Sequence, residues 1–350
     1  MSREQEALDL IERVRSKPPR FRDAQITMAH GAGGKATLTL IEGLLAPAFG
    51  IESLADAAAL DGLALTTDSF VVKPIRFPGG SIGELAVNGT VNDLAVAGAQ
   101  PVALTLSLVL EEGLSGDDLR AEVEAIARAA SVAGVRVVAG DTKVVERGKC
   151  DGMYITTTGL GRVDPRASLD PGALRPGDKV LVSGPIGEHG VAIMLARGEF
   201  ELAATVESDT RPLWPAVDAL LDVAADSMRC IRDATRGGVA SVLNELARAS
   251  NVAMVVRETS VPVRREVTGA CEILGIDPMY VANEGVLVAF VAPEAADGAL
   301  AALRAVPGCE QAAELGEVKT GPPGLVLVET AFGGRRVMDM LVGDPLPRIC

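Results

Sequence analysis

The residues best suited to chemistry in this chain are carboxylates and one thiol. Aspartates recur singly where an apolar run stops or a small-residue stretch begins: Asp56 in LADAAAL, Asp68 in LTTDSF, Asp93 in GTVNDLAVAGA, Asp141 in VVAGDTK and Asp233 in IRDATRGG. Strand ends and the loops after them are where ligands bind, and Mg²⁺ bridging nucleotide phosphates asks for a few carboxylates and water. Any one of these aspartates serves equally as a helix N-cap or turn residue, Asp93 above all. Glu284, in VANEGVLV, stands between a turn and a strand, among apolar neighbours that would raise its pKa. It reads either as a general base or as a satisfied structural carboxylate. His189, in GPIGEHGVAI, reads as part of a helix start. The chain closes on GDPLPRIC, which leaves the thiol of Cys350 at its free end.

The segment HGAGGKAT, from His30 to Thr37, has the look of a phosphate loop but breaks the Walker pattern twice. Ala29 stands where the first glycine belongs, and Ala36 follows Lys35 where Ser or Thr is needed. It fits G-x-G-x-x-A through Gly31, Gly33 and Ala36, yet only the short ITM precedes it where a dinucleotide site wants a buried strand. An ordinary glycine turn fits as well. As a binding loop it would wrap anionic oxygens with the amides of Gly31, Gly33 and Gly34 and with the Lys35 ammonium.

These residues need a frame. LALTTDSFVV carries Leu63, Leu65 and Thr67 at period two and predicts a strand. DDLRAEVEAIARAASVAG places Leu119, Val123, Ile126 and Ala130 on one helical face and stops at Gly134. VRVVAG and YITTTGLGRV predict further strands. DPGALRPGDKV, with two proline–glycine turns in succession, is the best domain boundary. Beyond it, KVLVSG and GVLVAFV predict strands, while GVAIMLARG, GGVASVLNELARAS and PEAADGALAALRAV predict helices, an α/β or α+β arrangement with helices on a sheet. The chain therefore divides into an extension with the Gly-rich loop (1–50), a first α/β domain (51–168), a second (169–335) and a tail (336–350). Residues 1–25 predict a short charged helix and a break. Two prolines in the last six residues predict an extended, mobile end.

Composition narrows the class. At 350 residues the chain is long enough for two domains. Lys plus Arg number 33 against 47 Asp plus Glu, a net charge of −14, which argues against a nucleic-acid binder because phosphate backbones must be met with cations. The cysteines, five and without a C-x-x-C pair, indicate neither a zinc site nor a disulfide framework. The N-terminus is too charged for a signal peptide, and no apolar run reaches the ~20 residues that span a bilayer. A cytoplasmic protein is expected.

Taken as a set, AHGAGGK, LTTDSFVVKPIRFPGGSIGELAVNGTVNDLAVAGAQP, VVAGDTKVV, RDATRGG, VANEG and the terminal PRIC resemble the HypE family of hydrogenase maturation proteins, from about residue 26 to the end. The wider superfamily (aminoimidazole ribonucleotide synthetase, selenophosphate synthetase, thiamine-monophosphate kinase) shares the aspartates but lacks PRIC. The resemblance implies an N-terminal α/β domain pairing with a second subunit into a β-barrel, a C-terminal α/β domain, and ATP in the cleft between them. It implies ATP-dependent dehydration of a carbamoyl group on Cys350 to a thiocyanate. The carbamoyl group would come from a carbamoyltransferase of the HypF family, and the cyanide would pass to iron on a scaffold of HypC and HypD for the [NiFe] hydrogenase centre.

By the same resemblance Asp56, Asp68, Asp93 and Asp233 would hold Mg²⁺ on ATP, with Asp141 and Lys35 among the cofactor contacts. Lys143, in GDTK, would neutralise developing charge, Glu284 would take a proton from the carboxamide nitrogen, and Asn92 is a candidate orienting group. A terminal thiol suits a carrier, since an extended segment reaches roughly 3 Å per residue. Two rivals use the same residues: a small-molecule kinase or ligase with an incidental tail, and a scaffold whose tail only docks. Both predict that Cys350→Ala is harmless.

Overall fold

The computed structural model describes residues 20–51, 54–198, 205–343 and 348–350; most of the predicted N-terminal helix lies outside them. Two sheets carry the fold. The first runs in the order β1-β2-β7-β5-β6, built from β1 (Ala58–Leu60), β2 (Leu63–Phe70), β5 (Ala99–Glu111), β6 (Arg136–Val145) and β7 (Met153–Val163). A short hairpin of β3 (Arg76–Phe77) and β4 (Gly80–Ser81) stands beside it. Lys35–Leu40 forms α1, Ile82–Val96 forms α2 and Gly116–Val132 forms α3. The last is the crossover that lets β5 and β6 run parallel.

The second sheet has seven strands in the order β14-β13-β10-β12-β8-β11-β9. They are β8 (Lys179–Val182), β9 (Met228–Asp233), β10 (Ala253–Arg257), β11 (Leu287–Val291), β12 (Ala313–Lys319), β13 (Leu325–Glu329) and β14 (Arg335–Val337). Its helices are α4 (Glu188–Ala196), α5 (Trp214–Ala224), α6 (Gly238–Ala249), α7 (Arg265–Leu274) and α8 (Ala296–Ala305). On one face α6 packs through Val239, Leu243 and Leu246; on the other, α5 and α8 pack through Leu220, Leu221 and Leu303. Strand β11, between β8 and the edge strand β9, is buried at every position, as expected of a strand covered on both faces.

α2 joins the halves. It is buried almost all round, and its side chains divide between two cores: Ile82, Leu85 and Val91 sit with the first sheet, Ala95 and Val96 with α5 of the second domain. Mean amphipathicity is low because there is no solvent face to set apart.

Two predicted faces turn out differently. Leu63 and Leu65 alternate as foreseen but face away from the helices, 43% and 44% exposed; Ala64 and Phe70 fill the core instead. On α3 the inward face carries Glu122 where Val123 was expected. The Glu122 carboxylate is held by Arg76 Nε at 2.9 Å and accepts the Gly83 N–H at 3.1 Å, satisfying an orphan donor at the start of α2. The outer face of the first sheet leaves Leu63 and Leu65 as an open apolar patch. No helix among the described residues is long and apolar enough to cross a membrane.

Candidate active site

A cleft of about 970 Å³ lies between the two domains. β2, α2, β9 and the turn before β11 each bring one carboxylate to it. Asp68 sits on β2 and Asp93 in the last turn of α2, so neither stands at a strand end and Asp93 is not an N-cap. Asp233 ends β9 as predicted, and Asp56 lies in the loop before β1. Ligand oxygens of Asp56, Asp93 and Asp233 all fall within 4.8 Å of one another.

Burial, with like charge added to it, holds these carboxyls above their ordinary range. Burial pushes the Asp233 carboxyl up to about 7, with the Asp56 charge adding to it. Asp93 rises well above the usual carboxylate range through burial, then through Asp233, Asp56 and Asp68. Asp56 and Asp68 are raised too, chiefly by burial. Two arginines give partial relief: Arg232 Nε lies 2.7 Å from Asp56, and Arg236 Nη2 lies 4.0 Å from Asp68. A close set of hard oxygen donors with uncompensated negative charge fits a small divalent cation such as Mg²⁺ and offers nothing to a thiophilic metal.

Glu284 faces the same cleft. Its Oε1 is buried and has no hydrogen-bond partner among the described residues, and burial, then Asp209, Asp233 and Asp68, drive its pKa well up. Its backbone is tightly held. Asp209 Oδ1 accepts the Glu284 N–H at 3.0 Å, Oδ2 accepts the Gly285 N–H at 3.3 Å, and Asn92 donates to the Glu284 carbonyl at 3.1 Å. A Cβ on Gly285 would sit 1.9 Å from the Asp209 carbonyl oxygen, so only glycine allows this approach.

Cys350 also lines the cleft, within electrostatic reach of Arg236, Glu284 and Asp68. Burial pushes its thiol up to about 12. The last three residues are seated. The Val71 N–H donates to the Cys350 main-chain carboxylate oxygen at 3.1 Å, His189 Nε2 bonds the Ile349 carbonyl at 3.0 Å, and Arg197 donates to the Arg348 carbonyl at 2.7 Å. His189 is thus at a helix start, as predicted, and spends its ring on the tail.

Other candidates are placed elsewhere. Gly33 and Gly34 line the cleft, but the loop is clamped onto the second domain. Gly33 is left-handed (φ +71°); its N–H goes to Thr37 Oγ1 at 3.0 Å, and its carbonyl takes Ser241 Oγ at 3.0 Å. The Lys35 N–H goes to the Leu341 carbonyl at 3.1 Å, and the Lys35 ammonium pairs with Asp339 at 2.6 Å outside the cleft. Gly31 offers its carbonyl to Arg236 Nη1 at 3.2 Å. Asn92 is fully engaged in binding backbone: besides Glu284 it holds the Arg211 carbonyl and the Leu213 N–H.

β6 continues through GDTKVV, so Asp141 and Lys143 lie inside an exposed edge strand, paired with each other at 2.5 Å. The register Asp68–Thr157–Leu106–Gly140 sets that strand three spacings from Asp68, roughly 14 Å. Within one chain they do not join the cluster.

Sequence reasoning missed Arg236, which was in view inside RDATRGG, and Arg232. It also missed Asp209, whose ESDTRP context carries no signal of a buried backbone clamp.

Comparison with known proteins follows this geometry. The family model "AIR synthase related protein, N-terminal domain" matches residues 54–163, and "AIR synthase related protein, C-terminal domain" matches residues 175–328. The chain is 48% identical over 339 residues to carbamoyl dehydratase HypE of Rhodobacter capsulatus, covering 94% of this chain and 99% of that one. The crystal structure of hydrogenase maturation protein HypE in complex with ATP superimposes with a TM-score of 0.79 at 45% identity, over 93% of this chain and 100% of that chain. HypE in a HypE–HypF complex superimposes with a TM-score of 0.83 at 43% identity, over 86% and 99%.

Proposed function

The chain belongs to the HypE family, within the AIR synthase related proteins, and from this we propose that it is an ATP-dependent carbamoyl dehydratase acting on its own Cys350. The observation that carries the proposal is the seating of Cys350 in the cleft that holds the carboxylate cluster and the unpartnered Glu284 oxygen. An incidental tail has no reason to seat its half-buried thiol there.

The reaction converts Cys–S–C(=O)NH₂ and ATP to Cys–S–C≡N, ADP and phosphate. The carbonyl oxygen attacks the γ-phosphorus and ADP leaves; the resulting imidate then loses its oxygen as phosphate while the nitrogen gives up its remaining protons. Phosphorylation is needed because oxide does not leave and phosphate does. Asp56, Asp93 and Asp233, with Asp68, would hold Mg²⁺, which supplies charge neutralisation of the ATP phosphates. Glu284 takes a nitrogen proton; a carboxylate of raised pKa is the stronger base for that task. Arg236, facing Cys350 and Asp68, stabilises negative charge gathering on the transferred phosphoryl group.

Lys143, three strands from Asp68, would serve only the cleft of a second copy. The open apolar face of the first sheet supports a homodimer, with the strands of two copies closing into a barrel. The carbamoyl group would come from a HypF-type carbamoyltransferase and the cyanide would pass to HypC–HypD for [NiFe] hydrogenase assembly, in the cytoplasm.

The test is intact-mass spectrometry of the chain mixed with that carbamoyltransferase, carbamoyl phosphate and Mg·ATP. Gain of one carbamoyl group followed by loss of one water, both abolished in Cys350→Ala, is the expected result. ATP turnover on a small molecule with Cys350 unmodified would overturn it.

A further inference from the structure

The site that seats the tail is built without the tail. Tyr154 donates to Asp151 at 3.1 Å, and Lys73 fixes the same carboxylate at 2.5 Å. Arg197 Nε holds the Lys73 carbonyl at 2.9 Å, and His189 Nδ1 meets Ser208 Oγ at 2.8 Å. None of these bonds involves residues 348–350. They tie together the segment after β2, the start of β7 and both ends of α4 with no contribution from the tail.

The fit is specific at each residue. The Arg348 guanidinium reaches Asp151 at 2.5 Å and the Val71 carbonyl at 3.1 Å, and lies over the Tyr154 ring, 5.8 Å from its centroid. The Ile349 side chain is buried in the first domain's core cluster. The main-chain oxygens of all three residues are taken by three different protein donors. Arg348 makes the turn with φ +55°, so the seated conformation is set locally, next to its anchors.

We propose that this groove is a self-contained receptor for a C-terminal Arg-Ile-Cys sequence, and that it accepts such an end in trans, from a second copy or as a free peptide. The substrate class that follows is any peptide ending in Arg-Ile-S-carbamoylcysteine. This last step rests on the dehydratase reading; the binding does not. The covalent link then supplies effective concentration rather than recognition.

The test uses the full-length chain carrying Arg348→Glu and Cys350→Ala, whose own tail has lost its guanidinium and thiol. N-terminally labelled Arg-Ile-Cys and Glu-Ile-Cys, each with a free C-terminus, are titrated by fluorescence polarisation. Saturable binding that favours the arginine peptide by about tenfold is expected. Adding Asp151→Asn should bring the two peptides close to parity. Equal binding of both peptides to the unaltered groove, or no saturation, overturns the proposal.

A second readout separates the two readings: Arg-Ile-S-carbamoylcysteine with Mg·ATP should lose one water. Specific binding without that loss, in a preparation whose wild-type parent also fails to dehydrate its own carbamoylated tail, keeps the receptor and removes the dehydratase. Specific binding without it, beside a competent parent, removes catalysis in trans.

Discussion

Asp209 grips the main chain of Glu284 from behind, accepting the Glu284 N–H at 3.0 Å and the Gly285 N–H at 3.3 Å. The carboxylate proposed as the general base is thus held at its own backbone by a residue that does not line the cleft. Asp209→Ala should leave two buried donors unpaired, at about 1–3 kcal/mol each, and should lower the dehydration rate more than it alters the apparent affinity for ATP. Asp209→Asn, which keeps an acceptor, should recover part of both. Thermal melting and single-turnover mass spectrometry give the two numbers; an unchanged rate in a destabilised Asp209→Ala would confine Asp209 to a structural part.

Glu284→Gln removes the base while keeping its shape. The carbamoylated chain should still form and then accumulate, with thiocyanate formation slowed on the order of 10²–10⁴-fold. Quenched-flow mass spectrometry on the carbamoylated protein measures this directly; thiocyanate appearing at the wild-type rate would remove Glu284 from the chemistry.

The carboxylate cluster makes the metal-free protein sensitive to pH. Asp233 has a folded-state pKa of about 7 against an ordinary value near 3.8, so the folded chain binds more protons than the unfolded one between those values. Its contribution is full below about pH 4 and is lost as the pH rises through about 7. Melting temperature in EDTA should therefore fall across that interval, and Mg²⁺ should restore it at the upper end. A flat profile in EDTA, or no response to Mg²⁺ at pH 7.5, would contradict the cluster as a cation site.

The seated thiol should be slow to alkylate. With burial holding Cys350 near 12, its thiolate fraction at neutral pH is far below that of a free cysteine. Arg348→Glu should raise the rate of iodoacetamide labelling at Cys350 by at least about tenfold, read by peptide mapping. Equal rates would show that Arg348 does not hold the tail.

Leu65 lies 44% exposed on the open face of the first sheet. Leu65→Glu should convert a dimer to a monomer in light scattering with little change in the monomer's own fold, because the side chain touches neither core cluster. A variant that stays dimeric would place the self-association surface elsewhere.

The sequence made some of this plain and hid the rest for identifiable reasons. Asp233 could be placed because it ends the short strand β9 and the glycine turn ATRGG follows at once. Asp93 could not, because α2 has no solvent face and its small residues look like a post-cap stretch; a helix packed on all sides carries no periodic signal. Leu63 and Leu65 showed the right alternation but not which face was core, since an apolar outer face reads the same as an inner one. Asp141 and Lys143 were read as loop because glycine and aspartate are poor strand residues, yet pairing with β5 carries the strand through them. Asp209 and Asp151 act through backbone and tail partners far away in the chain, which no local pattern encodes. The terminal cysteine was legible as a chemical oddity, while its seat was not.

α2 spans both cores, and Asn92 on it binds the Glu284 carbonyl, the Arg211 carbonyl and the Leu213 N–H. The two jaws of the cleft are therefore riveted through a single shared axle. Opening them like a clamshell would tear that axle from one core or the other, so the proposed chemistry on Cys350 would have to run on movement of the short tether while the vice itself stays still.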